Sequence, residues 1–245
     1  MKRMLTAILM SVLLFPINVS AEQLVFSVLE DFAPYQYMEN EKSVGCDVDI
    51  MNEVCKRLNI ELKVKPLPWK RALKTAENGD SSGLLTVLHT AERENFLYFT
   101  SEPVHIQKNV IIARKGSGIT IKGFDDLKGK EVGVVANFSY GPEFDKYEGL
   151  KKTVCYGQEE LVRIVDKERI DLAMGAEDPF RFIWKKLNLK ERFEVVYVIA
   201  EIQAYTGFSK KGCGEKGKVM ADKFSEVMRQ MKAEGVTQQI MDKYR

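Results

Sequence analysis

Apolar and polar positions along the chain alternate between two periods. Leu24–Leu29 is a short apolar run with the character of a strand. Val48, Met51, Cys55 and Leu58 then repeat at three- and four-residue spacing, one face of a helix. Ile60–Leu67 alternates with the two-residue period of a strand, and Trp69–Glu77 reads as a helix. Gly83–Leu88 is apolar throughout, as a strand buried on both faces would be. Beyond Pro103, Asn109–Arg114 predicts another apolar strand. Glu131–Val135, Lys152–Cys155 and Asp171–Met174 predict three shorter ones, separated by helices near Gly141–Glu148 and Gln158–Lys167. Phe193–Ile199 and Ala204–Ser209 read as two last strands. Met220, Phe224, Val227 and Met231 mark a closing helix, with a short helical tail to Tyr244. This alternation predicts an α/β protein with parallel sheets covered by helices.

The first residues follow a different rule. Lys2 and Arg3 precede an apolar segment from Met4 to Ile17, and Val19-Ser20-Ala21 offers a small-x-small cleavage site. Residues 1–21 therefore read as a secretory signal peptide, too short and too lightly flanked for a stable membrane span. The mature chain begins near Glu22, outside the cytoplasm, and no cysteine near the cleavage site invites lipid attachment. Of 37 basic residues two lie in this leader, so the remainder is nearly balanced against 35 acidic ones. With no single-sign block, the charge pattern argues against nucleic acid and against a polybasic membrane anchor. Roughly 220 residues suffice for one large or two small domains.

Four cysteines in an oxidising compartment raise the question of disulfides. Cys46 and Cys55 bracket the first helix, about 13 Å apart along its axis, which is beyond bridging distance. Cys155 and Cys213 could meet only through the fold. No Cys-x-x-Cys is present, and His89 and His105 lack a second ligand at helical or hairpin spacing, so neither metal nor cofactor is expected. His89 reads as a satisfied strand-end residue.

The clearest chemistry lies at the end of the apolar Gly83–Leu88 run. Thr90 offers a hydroxyl N-cap to a short helix, Glu92 suits its first turn, and Arg93 falls in the same turn. A capping hydroxyl, free backbone N–H groups and a guanidinium would converge at the carboxyl end of a strand. Such a site wants an anion, and a carboxylate is the natural bidentate partner of arginine.

Several segments, in order, resemble the periplasmic solute-binding proteins of the polar amino-acid type, solute-binding protein family 3. Phe32-Ala33-Pro34-Tyr35-Gln36-Tyr37 resembles the aromatic-Pro loop after the first strand. Gly45-Cys46-Asp47-Val48-Asp49-Ile50 is similar to the family's Gly-Phe-Asp-Val-Asp-Leu helix start. Trp69, Ala72-Leu73 and Asn78-Gly79-Asp80 resemble its second helix and following turn. Thr90-Ala91-Glu92-Arg93 with Phe99-Thr100 resembles the Thr-x-x-Arg and Phe-Ser signature. Leu127-Lys128-Gly129-Lys130-Glu131-Val132-Gly133-Val134 resembles the entry to a second lobe. Gly235-Val236 and Lys243-Tyr244 resemble the C-terminal Gly-Thr and Lys-Tyr.

The resemblance implies a two-lobed α/β fold of the type II periplasmic binding-protein kind. Residues 22–105 and 205–245 would form the first lobe and residues 106–204 the second, with two crossovers on which the lobes close over a ligand. It implies a non-catalytic, periplasmic monomer that hands a small carboxylate-bearing solute, an amino acid or related compound, to an inner-membrane ABC permease. Phe32 and Trp69 match the apolar wall of the family's cleft, and Thr86 and Arg93 the carboxylate site. Ser139 and Tyr140 fall in the second-lobe loop, whose usual Gly-Thr is absent. Ala176 stands where an acidic residue usually holds the ligand ammonium, so either Glu177 or Asp178 would have to take that role. Two other readings share the fold: a periplasmic dehydratase-like enzyme, for which Glu177 or Glu30 could be the acid, and a ligand-sensing module for a membrane receptor.

Overall fold

A computed structural model of the protein describes residues 22–244; the leader predicted over residues 1–21 lies outside them. Strand β1 (Glu22–Leu29) is followed by a small antiparallel sheet of β2 (Asp31–Phe32), β3 (Gln36–Glu39) and β4 (Lys42–Val44). That small sheet has no counterpart among the predicted strands, because two to four residues are too few to display a period. Helix α1 (Cys46–Arg57) buries Val48, Met51 and Cys55, as their spacing predicts. Next come β5 (Ile60–Leu67), α2 (Trp69–Asn78), β6 (Gly83–Leu88), α3 (Ala91–Glu94) and β7 (Leu97–Phe99). All six residues of β6 are buried. The chain then leaves this half along β8 (His105–Arg114).

The second half holds β9 (Glu131–Val135), α4 (Pro142–Asp145), β10 (Lys151–Cys155), α5 (Gln158–Asp166), β11 (Leu172–Ala176) and α6 (Glu177–Lys186). Strand β12 (Phe193–Ser209) returns, and α7 (Lys210–Cys213), α8 (Lys216–Ala233) and α9 (Val236–Asp242) close the first half. The main sheet runs β10-β9-β11-β8-β12-β6-β1-β5, with β7 also paired to β12. Parallel pairing holds within each half, β1 with β5 and β6, and β9 with β10 and β11. Across the middle, β8 and β12 pair antiparallel with each other and with their outer neighbours β11 and β6. The sheet is therefore mixed rather than purely parallel.

The two strands predicted at Phe193–Ile199 and Ala204–Ser209 are one 17-residue strand. Its polar middle, Glu201 and Gln203, runs between the halves, where one face stays exposed and the apolar run lapses. Register shifts at Val195/Tyr197, Val198/Ala200 and Tyr205/Gly207 let so long a strand twist without breaking its ladder.

Each half has its own core. In the first, Phe26, Phe208 and Phe224 stack edge on face or tilted, with ring centroids 5.0–6.3 Å apart. In the second, two clusters lie on opposite faces of the sheet, one around Leu161, Phe180 and Trp184, the other around Leu127, Phe144 and Leu172. Phe138 packs against all three clusters. Cys46, Cys55, Cys155 and Cys213 are all free thiols, so the pairing open to Cys155 and Cys213 is not made. The first lies on β10 and the second on α7, in different halves.

One glycine sets how the loop before β3 meets α1. Gly45 has φ +129°, and a Cβ there would lie 2.2 Å from the carbonyl oxygen of Tyr35. The close approach lets Cys46 and Asp47 donate their N–H groups to Pro34 and Tyr35 carbonyls at 3.0 Å. Gly45→Ala is expected to cost more than about 1 kcal/mol, since both φ and the contact oppose it. Denaturant unfolding measures this, and an unchanged midpoint would mean that the loop is free to move aside.

Candidate functional site

The end of β6 builds the site as the spacing predicts. Thr90 Oγ1 accepts a hydrogen bond from the Arg93 N–H at 3.3 Å and caps α3. With the helix fixed, Arg93 folds back over the strand end, and its Nη1 donates to the Leu88 carbonyl at 2.8 Å. Its Nη2 reaches across to the other half and donates to the Asn137 carbonyl at 3.1 Å. The guanidinium carbon lies 5.0 Å from the centroid of the Trp69 ring, a cation–π contact. Arg93 is only 6% exposed. Burial lowers its pKa to about 10, so the group stays charged at neutral pH. Both hydrogen-bond acceptors are backbone carbonyls, which carry partial rather than full negative charge.

Asn137 and Phe138 come from the loop after β9 and occupy the space between the halves. The Asn137 carbonyl also accepts from Trp69 Nε1 at 2.8 Å, so indole and guanidinium meet on one oxygen. Asn137 has φ +61°, a left-handed conformation that asparagine tolerates better than most residues. The Phe138 ring stands edge-on to Phe32, centroids 5.9 Å apart, and to Trp69, 5.6 Å apart. What remains open beside it is a cavity of about 40 Å³. A wider cleft outside it runs past Thr90 and Asn137 to Asp145.

Of the predicted site residues, Phe32, Trp69, Thr86, Arg93 and Ser139 line that cavity together. Two of them are engaged differently from expectation. The Thr86 hydroxyl donates to Asp47 Oδ2 at 2.7 Å. The Ser139 hydroxyl, in the second-lobe loop, donates to Asp145 Oδ2 at 2.5 Å. Tyr140 is buried, and its hydroxyl accepts from the Val135 N–H at 2.7 Å; it borders only the outer cleft. Glu177 and Asp178 do not reach the cavity lining. Glu177 pairs with Lys108 at 3.0 Å and Arg181 at 2.5 Å. Burial acts to raise its pKa, but those two partners outweigh it and hold the carboxyl below its usual range. A general acid would need the opposite shift. Asp178 accepts from the Tyr35 hydroxyl at 2.7 Å, a bond that ties the two halves together.

Sequence reasoning missed the network behind the cavity. Asp47 is fully buried, and its Oδ1 lies 2.8 Å from His105 Nδ1, while its Oδ2 also accepts from Gln36 Nε2 at 3.4 Å. The His105 ring stacks on Tyr35, centroids 3.9 Å apart, and lines the cavity. The signal was available in α1: Asp47 stands four residues before Met51 and seven before Val54, on the face that the helix buries. Among the described residues no cluster of side chains is arranged to hold a metal ion.

Comparison with known proteins agrees with this architecture. The profile of the bacterial extracellular solute-binding proteins, family 3, matches residues 24–245. An arginine-binding extracellular protein of Bacillus subtilis, ArtP, is 23% identical over 91% of this chain and 86% of its own length. ABC transporter arginine-binding protein 1 of Escherichia coli is 25% identical over 100% of this chain and 99% of its own. Among solved structures, a mutant of the T. maritima protein ArgBP superposes with a TM-score of 0.78 at 23% identity, covering 91% of this chain and 94% of that one. A histidine kinase sensor domain with similarity to periplasmic binding proteins superposes at 0.81 and 19% identity, covering 91% and 96%. These superpositions establish the fold as that of type II periplasmic binding proteins.

Proposed function

The chain belongs to the bacterial extracellular solute-binding proteins, family 3, and from that membership we propose that it captures a small carboxylate-bearing solute, an amino acid or related compound, for delivery to an ABC permease. It is a solute-binding protein on a two-lobed α/β fold. In this reading the lobes are residues 22–105 with 205–245, and residues 106–204. It acts as a monomer in the periplasm after cleavage of the leader. The observation that carries the reading is the convergence of Arg93, Trp69 and Phe32 between the halves, with the Asn137 carbonyl seated on both the guanidinium and the indole. That oxygen stands where a ligand carboxylate oxygen would stand. A carboxylate would give Arg93 the full negative partner that two carbonyls do not, inside an aromatic wall that strengthens the pairing. Closure follows because the liganded site gains contacts from both lobes that neither has alone.

A thermal-shift screen of amino acids, small peptides and organic acids tests the reading. A binder at one hundred times its dissociation constant adds about 2.7 kcal/mol of stability. No shift with any carboxylate, and shifts with neutral or cationic solutes instead, would refute it.

Trp69 supplies a second test. The other tryptophan, Trp184, is buried in the second half between Phe180 and Phe193. Ligand is expected to change Trp69 emission as its indole exchanges the Asn137 carbonyl for the solute. Trp69→Ala is expected to weaken binding roughly tenfold or more. Emission that responds to ligand equally in Trp69→Phe would move the site elsewhere.

A further inference from the structure

The three short strands β2, β3 and β4 form a sheet of their own, and the solute cavity uses only Phe32 and Gln36 from it. Other side chains of this small sheet reach the second half. Asp31 and Tyr37 face each other across β2 and β3. The Asp31 carboxylate lies against Gly157 at the start of α5, so close that a Cβ there would stand 2.4 Å from Oδ2. The Tyr37 ring packs on Phe182 of α6, centroids 5.5 Å apart. Between them, in the turn that joins β2 to β3, Tyr35 donates its hydroxyl to Asp178 Oδ2 at 2.7 Å, in the first turn of α6. Among the described residues this is the one hydrogen bond from the small sheet to the second half. Tyr35, Tyr37, Gly157, Asp178 and Phe182 line neither the cavity nor the outer cleft. Tyr35 is 1% exposed, and its ring lies flat on His105, the first residue of β8, centroids 3.9 Å apart. Burial, with Asp178 beside it, pushes the phenol well above its ordinary pKa range, so the hydroxyl keeps its proton and the carboxylate accepts.

We propose that the small sheet is a clasp: Tyr35, bonded to Asp178, holds the halves together from outside the solute cavity, so that they rest closed and part only when this bond breaks. The bond needs no solute, since both partners belong to the chain and lie away from the cavity lining. Asp31 adds fit rather than attraction, because Glu30 and Glu159 beside it carry the same charge, and Lys186 is paired with Glu159 at 2.9 Å. The Tyr35 hydroxyl therefore makes the holding contact, a hydrogen bond to a charged acceptor. Its strength suits release. When the halves part, water takes over both groups, Asp178 being exposed already, so only the net difference between two hydrogen-bonded states is lost. The stack on His105 keeps the phenol aimed, and His105 belongs to the ribbon that joins the halves. The clasp goes beyond solute capture and does not depend on which solute is bound.

Solution scattering and Trp69 emission, measured on the protein with no solute added, test the clasp. Trp69 reports the contact because its indole donates to Asn137 across the halves, whereas Trp184 is buried within the second half. Tyr35→Phe removes one oxygen and keeps the ring on His105. Asp178→Ala changes an exposed side chain, so one variant folds even if the other does not. Each is expected to move the closed-to-open ratio about 3- to 30-fold toward open. That shift is read as a larger radius of gyration, red-shifted Trp69 emission and stronger quenching by acrylamide. The double variant should go no further than either single one. Asp178→Asn, which keeps an acceptor oxygen, should return most of the way to wild type. Unchanged scattering and emission in both folded variants, whatever the thermal midpoint does, would mark the bond as ordinary packing and overturn the clasp. Shifts that add in the double variant would overturn it too. Neither result touches carboxylate capture, which the solute screen decides by itself.

Discussion

Arg93→Ala is expected to weaken solute binding by about 30- to 5,000-fold, the cost of removing one partner from a desolvated charged pair. The guanidinium is buried against Trp69, and its present acceptors, the Leu88 and Asn137 carbonyls, are neutral. An incoming carboxylate offers two parallel acceptors and a full charge to a group that burial has already made less comfortable as a cation. Arg93→Lys is expected to recover only part of the loss, because an ammonium keeps the charge but not the fork. The variant also removes one of the contacts that reach from the first half to Asn137, so closure should weaken with affinity. Calorimetry on the three proteins separates these effects, with circular dichroism to show that the variants are folded. Unchanged affinity in a folded Arg93→Ala protein would remove the carboxylate from the function.

Phe138→Ala is expected to change affinity in the opposite direction, tightening it by about 5- to 150-fold. The cavity of about 40 Å³ holds a few waters at most, whereas small-molecule sites usually measure about 300 Å³ or more. Phe138 takes up part of the remaining space, edge-on to Phe32 and Trp69. A solute that enters between those rings must displace it. Each aromatic pair is worth about 0.5–1.5 kcal/mol beyond its burial, and two such pairs set the range above. The same substitution should leave the empty protein more open, as a larger radius of gyration in solution scattering. Weaker binding in Phe138→Ala would mean that the ring forms part of the wall around the bound solute, not an occupant of its place.

The elements that dominate the fold were legible because they are long enough to show a period. α1, β5, α2 and the apolar β6 all lie where the spacing of apolar residues puts them. β12 was split because its middle crosses from one half to the other, and a strand exposed there carries no apolar alternation to read. The capped turn at Thr90 and Arg93 could be read locally, since cap and guanidinium are three residues apart. The occupant of the site could not. Asn137 and Phe138 are 44 and more residues away from Arg93, in a loop with no periodic signal, and they meet it only through the tertiary fold. Glu177 and Asp178 were placed by their position after β11, but their partners, Lys108 and Tyr35, lie on other elements. Spacing along a chain cannot report which distant cation or hydroxyl claims a carboxylate first.

The pairing of β8 with β12 bears on mechanics as well as topology. A join made of two loops behaves like a door hinge, indifferent to its angle. Here the join is a ribbon whose two strands are hydrogen-bonded to each other from Phe193↔Arg114 to Ala204↔His105. Such a ribbon behaves as a leaf spring, with a preferred set that its ladder defines, and the stretch that crosses between the halves is the pairing of His105–Lys108 with Glu201–Ala204. In the proposed reading, a change in the angle between the halves has to bend this ribbon, so it works against the ladder instead of swinging freely.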